Sequence, residues 1–249
     1  MKKIALAVFL LILLTANTFG QSEADFEITQ NIQGGITITG YTGSARNIVI
    51  PATIEGIRVT EIGDDAFRDK QLTSVTIPNS VTRIGNRAFL TNQLSSVTIP
   101  NSVQAIGVAA FAVNQLTSLS IPDSVTSIGQ SAFEDNRLIS VTIPDSVRSI
   151  GTRAFNNNQL TSVNIPNNND TFIHRDAFSN NQLTRITITN SETYVMEGAF
   201  ENNPITSITI VANVTNLYFR FPNNFNTFYI SQGRRAGTYT FSGRLWSVQ

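Results

Sequence analysis

Leu72-Thr73-Ser74-Val75-Thr76-Ile77-Pro78-Asn79-Ser80-Val81-Thr82-Arg83-Ile84-Gly85-Asn86-Arg87-Ala88-Phe89 is written three more times with few changes, as Leu94 to Phe111, Leu116 to Phe133 and Leu138 to Phe155. Phenylalanine falls at 67, 89, 111, 133, 155, 178 and 200, in steps of 22 residues except for one of 23. A period this strict predicts a solenoid, because one such unit cannot bury its apolar face alone and must stack on its neighbours. Within the unit, Thr73 to Ile77 is rich in β-branched residues and alternates polar with apolar, which predicts a half-buried strand with Val75 and Ile77 inward. Pro78 has no N–H and ends the ladder there. Asn79-Ser80 predicts a turn, and Val81 and Ile84 return the chain to the core as a second short strand. Gly85 allows a tight bend, and Asn86 to Phe89 is long enough only for a single helical or 3₁₀ turn.

Stacking the units places Phe89 and its equivalents as the large core filler and builds a parallel sheet along one face. Nine rungs are expected, from Asn47–Ile50 to Phe228–Ile230, giving a face of roughly 38 Å at about 4.8 Å per strand. Asn92, Asn114, Asn136, Asn158, Asn181 and Asn203 recur two residues before the leucine position. That column is expected to be structural, satisfying backbone groups from coil to coil.

The ends of the chain depart from the period. Residues 1–20 carry Lys2 and Lys3, then an apolar run from Ile4 to Leu14, then Thr18-Phe19-Gly20, the pattern of a signal peptide cleaved before Gln21. That run is too short to cross a bilayer core, which takes about 20 residues. Residues 21–50 are expected to form an N-terminal cap and first rung, with Ile36–Thr39 and Asn47–Ile50 as a hairpin around a Gly40–Ser44 turn. Residues 51–230 are the repeats, the first with an insertion between Pro51 and Ile62. Phe225 to Ile230 overlays Leu72 to Ile77 and is expected to be a last strand. Residues 231–249 form a C-terminal cap, with Thr238–Phe241 and Leu245–Val248 as two short strands.

Composition excludes several function classes. Of 17 basic and 17 acidic residues, Lys2 and Lys3 leave with the signal peptide, so the remainder is weakly acidic and has no basic block to track a phosphate backbone. The absence of cysteine removes disulfides, zinc–thiolate sites, thiol catalysis and a lipoprotein anchor. A single histidine, His174, standing where the repeat has glycine, cannot by itself make a triad or a multi-histidine metal centre. Asp64-Asp65 and Glu134-Asp135 are carboxylate pairs that could suit calcium, but they do not recur with the period and fit a solvated edge better. No cofactor is expected.

The outward residues of the strands offer the better candidate surface. Two columns run Ser74, Ser96, Ser118, Ser140, Ser162, Arg185, Ser207, Thr227 and Thr76, Thr98, Ser120, Thr142, Asn164, Thr187, Thr209, Tyr229. Small hydroxyls suit the outer face of a strand without any ligand, but an extended solenoid face is a usual binding surface. Arg185 and Tyr229 break the pattern and are residue types enriched at interface hot spots. With Asn164, Thr187 and Thr209 they are the candidate partner contacts. The aromatic run Tyr218, Phe219, Phe221, Phe225, Phe228 and Tyr229 is expected to be mainly end-cap core, with an exposed contact patch as the other reading.

The elements V-T-I-P-[N/D]-S-V-x-x-I-G-x-x-A-F, read from Val75 to Phe89 and repeated through Phe155, resemble the bacterial BspA-like (treponemal-type) leucine-rich repeat family over about 150 residues, from Ile62 to Phe200. Family repeats often carry cysteine near the Asn92 position, where this chain has asparagine. The resemblance implies a mostly β, right-handed leucine-rich repeat solenoid, curved with its main sheet on the concave side. It implies a secreted or surface-located adhesion module that holds a protein or glycan, with no catalytic residues to carry over. A periplasmic or envelope scaffold without a host ligand is the alternative.

Overall fold

The computed structural model describes residues 21–168, 170–217, 225–242 and 245–248; residues 1–20, expected to be a signal peptide, and Tyr218, Phe219 and Phe221 lie outside these. The chain winds into a β-solenoid of about eight turns. Each coil lays its V-T-I-P segment on a first face and its V-x-x-I-G segment on a second, with the A-F turn forming the third corner.

The N-terminal cap brings β1 (Phe26–Gln30), β2 (Ile36–Tyr41), β3 (Asn47–Val49), β4 (Thr53–Ile54) and β5 (Ile57–Ile62). On the first face the repeats add β6 (Ser74–Thr76), β9 (Ser118–Ser120), β11 (Ser140–Thr142), β13 (Ser162–Asn164), β15 (Arg185–Ile188) and β17 (Ser207–Ile210). On the second they add β7 (Arg83–Ile84), β8 (Ala105–Ile106), β10 (Ser127–Ile128), β12 (Ser149–Ile150), β14 (Phe172–Ile173) and β16 (Tyr194–Val195). The second face carries the longer continuous sheet, in the order β1-β2-β5-β7-β8-β10-β12-β14-β16, although its repeat strands are only two residues long. The first face breaks into shorter parallel ladders, β3-β6, β9-β11-β13 and β15-β17.

The third corner is not a helical turn. Its first residue with left-handed φ recurs two places before each phenylalanine, at Asp65, Arg87, Ala109, Ser131, Arg153, Asp176 and Gly198. A second recurs two places after it, at Asp69, Thr91, Val113, Asp135, Asn157, Asn180 and Asn202. The alternation turns every second N–H along the solenoid. Phe67, Phe89, Phe111 and Phe133 thus donate to the alanine carbonyl of the following coil, each at 2.8 Å. A third hydrogen-bond ladder replaces the bonds a helix would have made within itself.

Inside, the phenylalanines from Phe67 to Phe200 form one continuous stack with ring centroids 5.1–5.6 Å apart and planes within 9° of parallel. The asparagine column has the structural role expected of it. Asn92 accepts the Leu72 N–H at 2.9 Å and donates to the carbonyls of Phe67 (2.8 Å) and Phe89 (3.0 Å), tying two coils together, and Asn114, Asn136, Asn158, Asn181 and Asn203 repeat this. The repeat glycine is required by close approach. A Cβ on Gly107, Gly129 or Gly151 would lie 2.5–2.6 Å from backbone atoms of the preceding coil.

Two expectations at the ends are corrected. The N-terminal hairpin is β1 with β2, antiparallel, whereas β2 and β3 part company: β2 pairs in parallel with β5 and β3 with β6. Residues 36–50 are thus an extra coil in which Tyr41 takes the phenylalanine place, 5.8 Å from the Phe67 ring. The open edge of β3 is met by the buried Gln21 side chain, which accepts the Val49 N–H at 2.8 Å and donates to its carbonyl. At the other end, Phe225–Ser231 is a helix, α1, and not a ninth rung. Phe225, Phe228 and Tyr229 stand at i, i+3 and i+4, the helical period, which the overlay on Leu72–Ile77 hid. The place next to β17 is taken by β18 (Gly237–Ser242), antiparallel, followed by β19 (Leu245–Val248).

Candidate binding surface

On the first face the outward columns are exposed at every rung from Ser74 and Thr76 to Arg185 and Thr187. The inward residues of the same rungs are the core: Val75, Val97, Leu119, Val141 and Ile186 are all buried. Asn164 is exposed at the end of β13, beside Thr142. Arg185 and Thr187 are exposed on β15, in register with Ser207 and Thr209 of β17. Asn164, Arg185 and Thr187 therefore lie on adjoining rungs of one face. Arg185 makes no ion pair among the described residues, leaving its planar fork of donors open to a ligand.

Thr209 is half-buried, its hydroxyl 3.1 Å from that of Thr238. Tyr229 does not belong to the face at all. It sits in α1, 1 % exposed. Its hydroxyl donates toward the carbonyls of Val211 (3.1 Å) and Arg234 (3.2 Å) and accepts the Val214 N–H at 3.3 Å. Burial raises its pKa above the ordinary tyrosine range. Thr227 likewise falls within the helix. Phe225 and Tyr229 are cap core, packed at 5.3 and 5.6 Å against the Tyr239 ring. The residues that do extend the hydroxyl column are Thr240, paired with Ser207, and Ser247, paired with Thr240. The alternation Thr238-Tyr239-Thr240-Phe241 carried the signal for them.

No group of three His, Asp or Glu side chains converges among the described residues. The two larger clefts lie at the third corner. One, of about 350 Å³, is bordered by Glu27, Thr42, Asp65, Arg68 and Asp69. The other, of about 330 Å³, is bordered by Glu134, Arg153, Asn156, Asp176 and Glu201. Part of their charge is spent on ion pairs, such as Arg87 with Asp65 at 2.7 Å and Arg153 with Asp176 at 3.8 Å, both between coils. His174, half-buried, lies at the end of β14 with its ring 6.3 Å from that of Phe172. No helix among the described residues is long and apolar enough to cross a membrane.

A strand, a turn and a second strand per 22-residue coil, with an asparagine ladder and a phenylalanine stack, define a leucine-rich repeat solenoid. The BspA type leucine rich repeat model matches six copies, over residues 60–180 and 105–227. The chain belongs to that family. No curated protein matches the chain. Among solved structures, it is similar to a leucine-rich repeat protein from Bacteroides ovatus, with a TM-score of 0.65 and 25 % identity over 80 % of this chain. The match covers 52 % of that protein, so the chain spans about half its length. A leucine rich cell surface protein from Faecalibacterium prausnitzii is also similar, with a TM-score of 0.49, 24 % identity, and coverage of 92 % of this chain and 60 % of that one. The Treponema pallidum leucine rich repeat protein gives a TM-score of 0.46 at 23 % identity, covering 58 % of this chain and 83 % of that one.

Proposed function

We propose that the protein is an exported, non-enzymatic binding module that holds a protein or glycan partner on its first face. The observation that carries this reading is the outward surface of the first-face strands. It is exposed at each rung from Ser74 to Thr187, nearly uncharged, and interrupted only at Asn164 and Arg185. A repeat solenoid presents such a face rigidly, so a ligand loses little to ordering the receptor. The same face gives catalysis little to work with, since its columns hold hydroxyls, one amide and one guanidinium but no acid or base. Export rests on the pattern of residues 1–20.

Binding spread over many equal rungs makes single Ser→Ala changes nearly silent, whereas Arg185→Ala removes the one cation of the face. A pull-down with the purified protein against matrix proteins and envelope extract identifies the partner, and titration of the variants then locates it. The expected result is a loss of at least about tenfold for Arg185→Ala, and no change for Ser118→Ala. Equal binding by native protein and Arg185→Ala with Thr187→Ala combined removes the first face from consideration.

A further inference from the structure

The outward column of the second face changes character abruptly. It runs Arg83, Ala105, Ser127 and Ser149 through the regular coils, and then Phe172 and Tyr194. The Phe172 and Tyr194 rings lie 4.4 Å apart and 8° from parallel, so they are stacked face on face across adjoining coils. Their faces therefore look along the solenoid and not out to solvent. Tyr194 covers one face of Phe172. The other overlooks Ser149, its register partner, whose side chain is too small to cover it. Phe172 accordingly stays 38 % exposed.

The neighbouring column makes the same step. His174 follows Phe172 by two residues, its N–H bonded to the Ile150 carbonyl at 2.9 Å, which sets it beside Gly151. The imidazole plane lies 29° from that of Phe172. Two rings thus stand together, 6.3 Å apart and tilted by 29°, on the coil next to Ser149 and Gly151. Arg148, whose carbonyl accepts the Phe172 N–H at 2.9 Å, is exposed and makes no ion pair among the described residues, and neither imidazole nitrogen has a protein partner there.

We infer that this ledge is a saccharide subsite: a pyranose ring of a neutral polysaccharide packs its C–H face on Phe172 while its hydroxyls bond Ser149, His174 and Arg148. The negative face of an aromatic ring attracts the polarised C–H bonds of a sugar. The surrounding groups are the planar and hydroxyl hydrogen-bonding types that a ring of hydroxyls requires. Size argues against a folded protein as the occupant, since two ring faces fall far short of the roughly 800 Å² per partner that a stable protein interface buries. Ser149 and Gly151 carry no carboxylate, so nothing there selects a cationic ligand. The inference rests on the reading of the chain as a binding module and adds to it a saccharide subsite on the second face, separate from the first-face surface.

His174 is the only histidine, so in protein expressed without a histidine tag its imidazole Hε1 proton gives one NMR signal that reports on the ledge. Purified neutral polysaccharides (glucan, mannan, galactan and xylan) are titrated against that signal. At least one is expected to shift it to saturation. Phe172→Ala is expected to weaken that binding at least about tenfold. Ser149→Phe extends the aromatic stack by one coil and is expected to abolish binding without lowering the melting temperature, which separates a blocked site from a damaged fold. No shift with any of the four polysaccharides overturns the inference, as does undiminished binding by Ser149→Phe. Polysaccharide binding that falls with Arg185→Ala but survives Ser149→Phe also overturns it, while leaving the first-face reading standing.

Discussion

Val113 and Thr91 are β-branched residues held at φ 54° and 56°, a conformation that costs an L-residue roughly 1–2 kcal/mol and that β-branched side chains adopt least readily. The same place in later coils is Asp135, Asn157, Asn180 and Asn202, types that tolerate it. Val113 is also 43 % exposed, so little burial offsets the strain. Val113→Asn should therefore stabilise the protein by about 1 kcal/mol, measured as a rise in the denaturation midpoint at constant m-value. The opposite is expected at Asn136. Its amide accepts the Leu116 N–H at 3.0 Å and donates to the Phe111 carbonyl at 3.0 Å, both buried. Asn136→Ala leaves those groups unsatisfied and should cost on the order of 3 kcal/mol, with faster hydrogen exchange at Leu116 as the local signature. The asparagine column was legible from its spacing alone. The left-handed columns were not, because Arg, Ala, Thr and Val at these places carry no local signal for positive φ.

At the scale of the element, the second-face strands and the phenylalanine corner hold each coil to the next, and the first-face ladders add to them where they run unbroken. Strands of two residues would be negligible alone, and they persist because every coil repeats them in register. Glycine makes that register possible on the second face, where a Cβ on Gly129 would stand 2.5 Å from the backbone of Gly107. Gly129→Ala should cost about 1–3 kcal/mol through forced separation of two coils, seen as a lower melting temperature, whereas Ser131→Asn on the adjoining corner, half-buried at a left-handed φ of 55° that asparagine tolerates, should not. The strands of the repeats could be read from period-2 alternation, and the turns from proline and asparagine. The caps were misread for one physical reason. A segment such as Phe225–Ile230 matches the repeat in composition, but beyond the last coil its i, i+3, i+4 aromatics find their partners in Tyr239 and Trp246, and helix wins. With it Tyr229 passes from the candidate surface into the core. The pairing of β2 with β5, likewise, depends on a neighbour that lies beyond the reach of local pattern.

For the whole molecule, regularity divides the labour. Coils from Leu72 to Phe155 are nearly interchangeable, their outward residues small and alike, and they serve as scaffold. Individuality begins after Pro166, with Arg185 and Thr187 on one face and Phe172, His174 and Tyr194 on the other. A repeat solenoid whose coils contact only their neighbours tolerates the loss of one whole unit, at the cost of one set of interface energies. Deleting residues 94–115 joins Gln93 to Leu116, restores every column in register and leaves all the individual residues in place. The measurement that decides the matter is thermal unfolding of this shortened protein alongside titration with the partner captured by the full chain. Cooperative unfolding at a modestly lower temperature, with binding retained, is the predicted result. A folded, cooperative shortened chain that no longer binds would contradict the assignment of recognition to the irregular coils, and loss of the cooperative transition would contradict the interchangeability of the coils themselves.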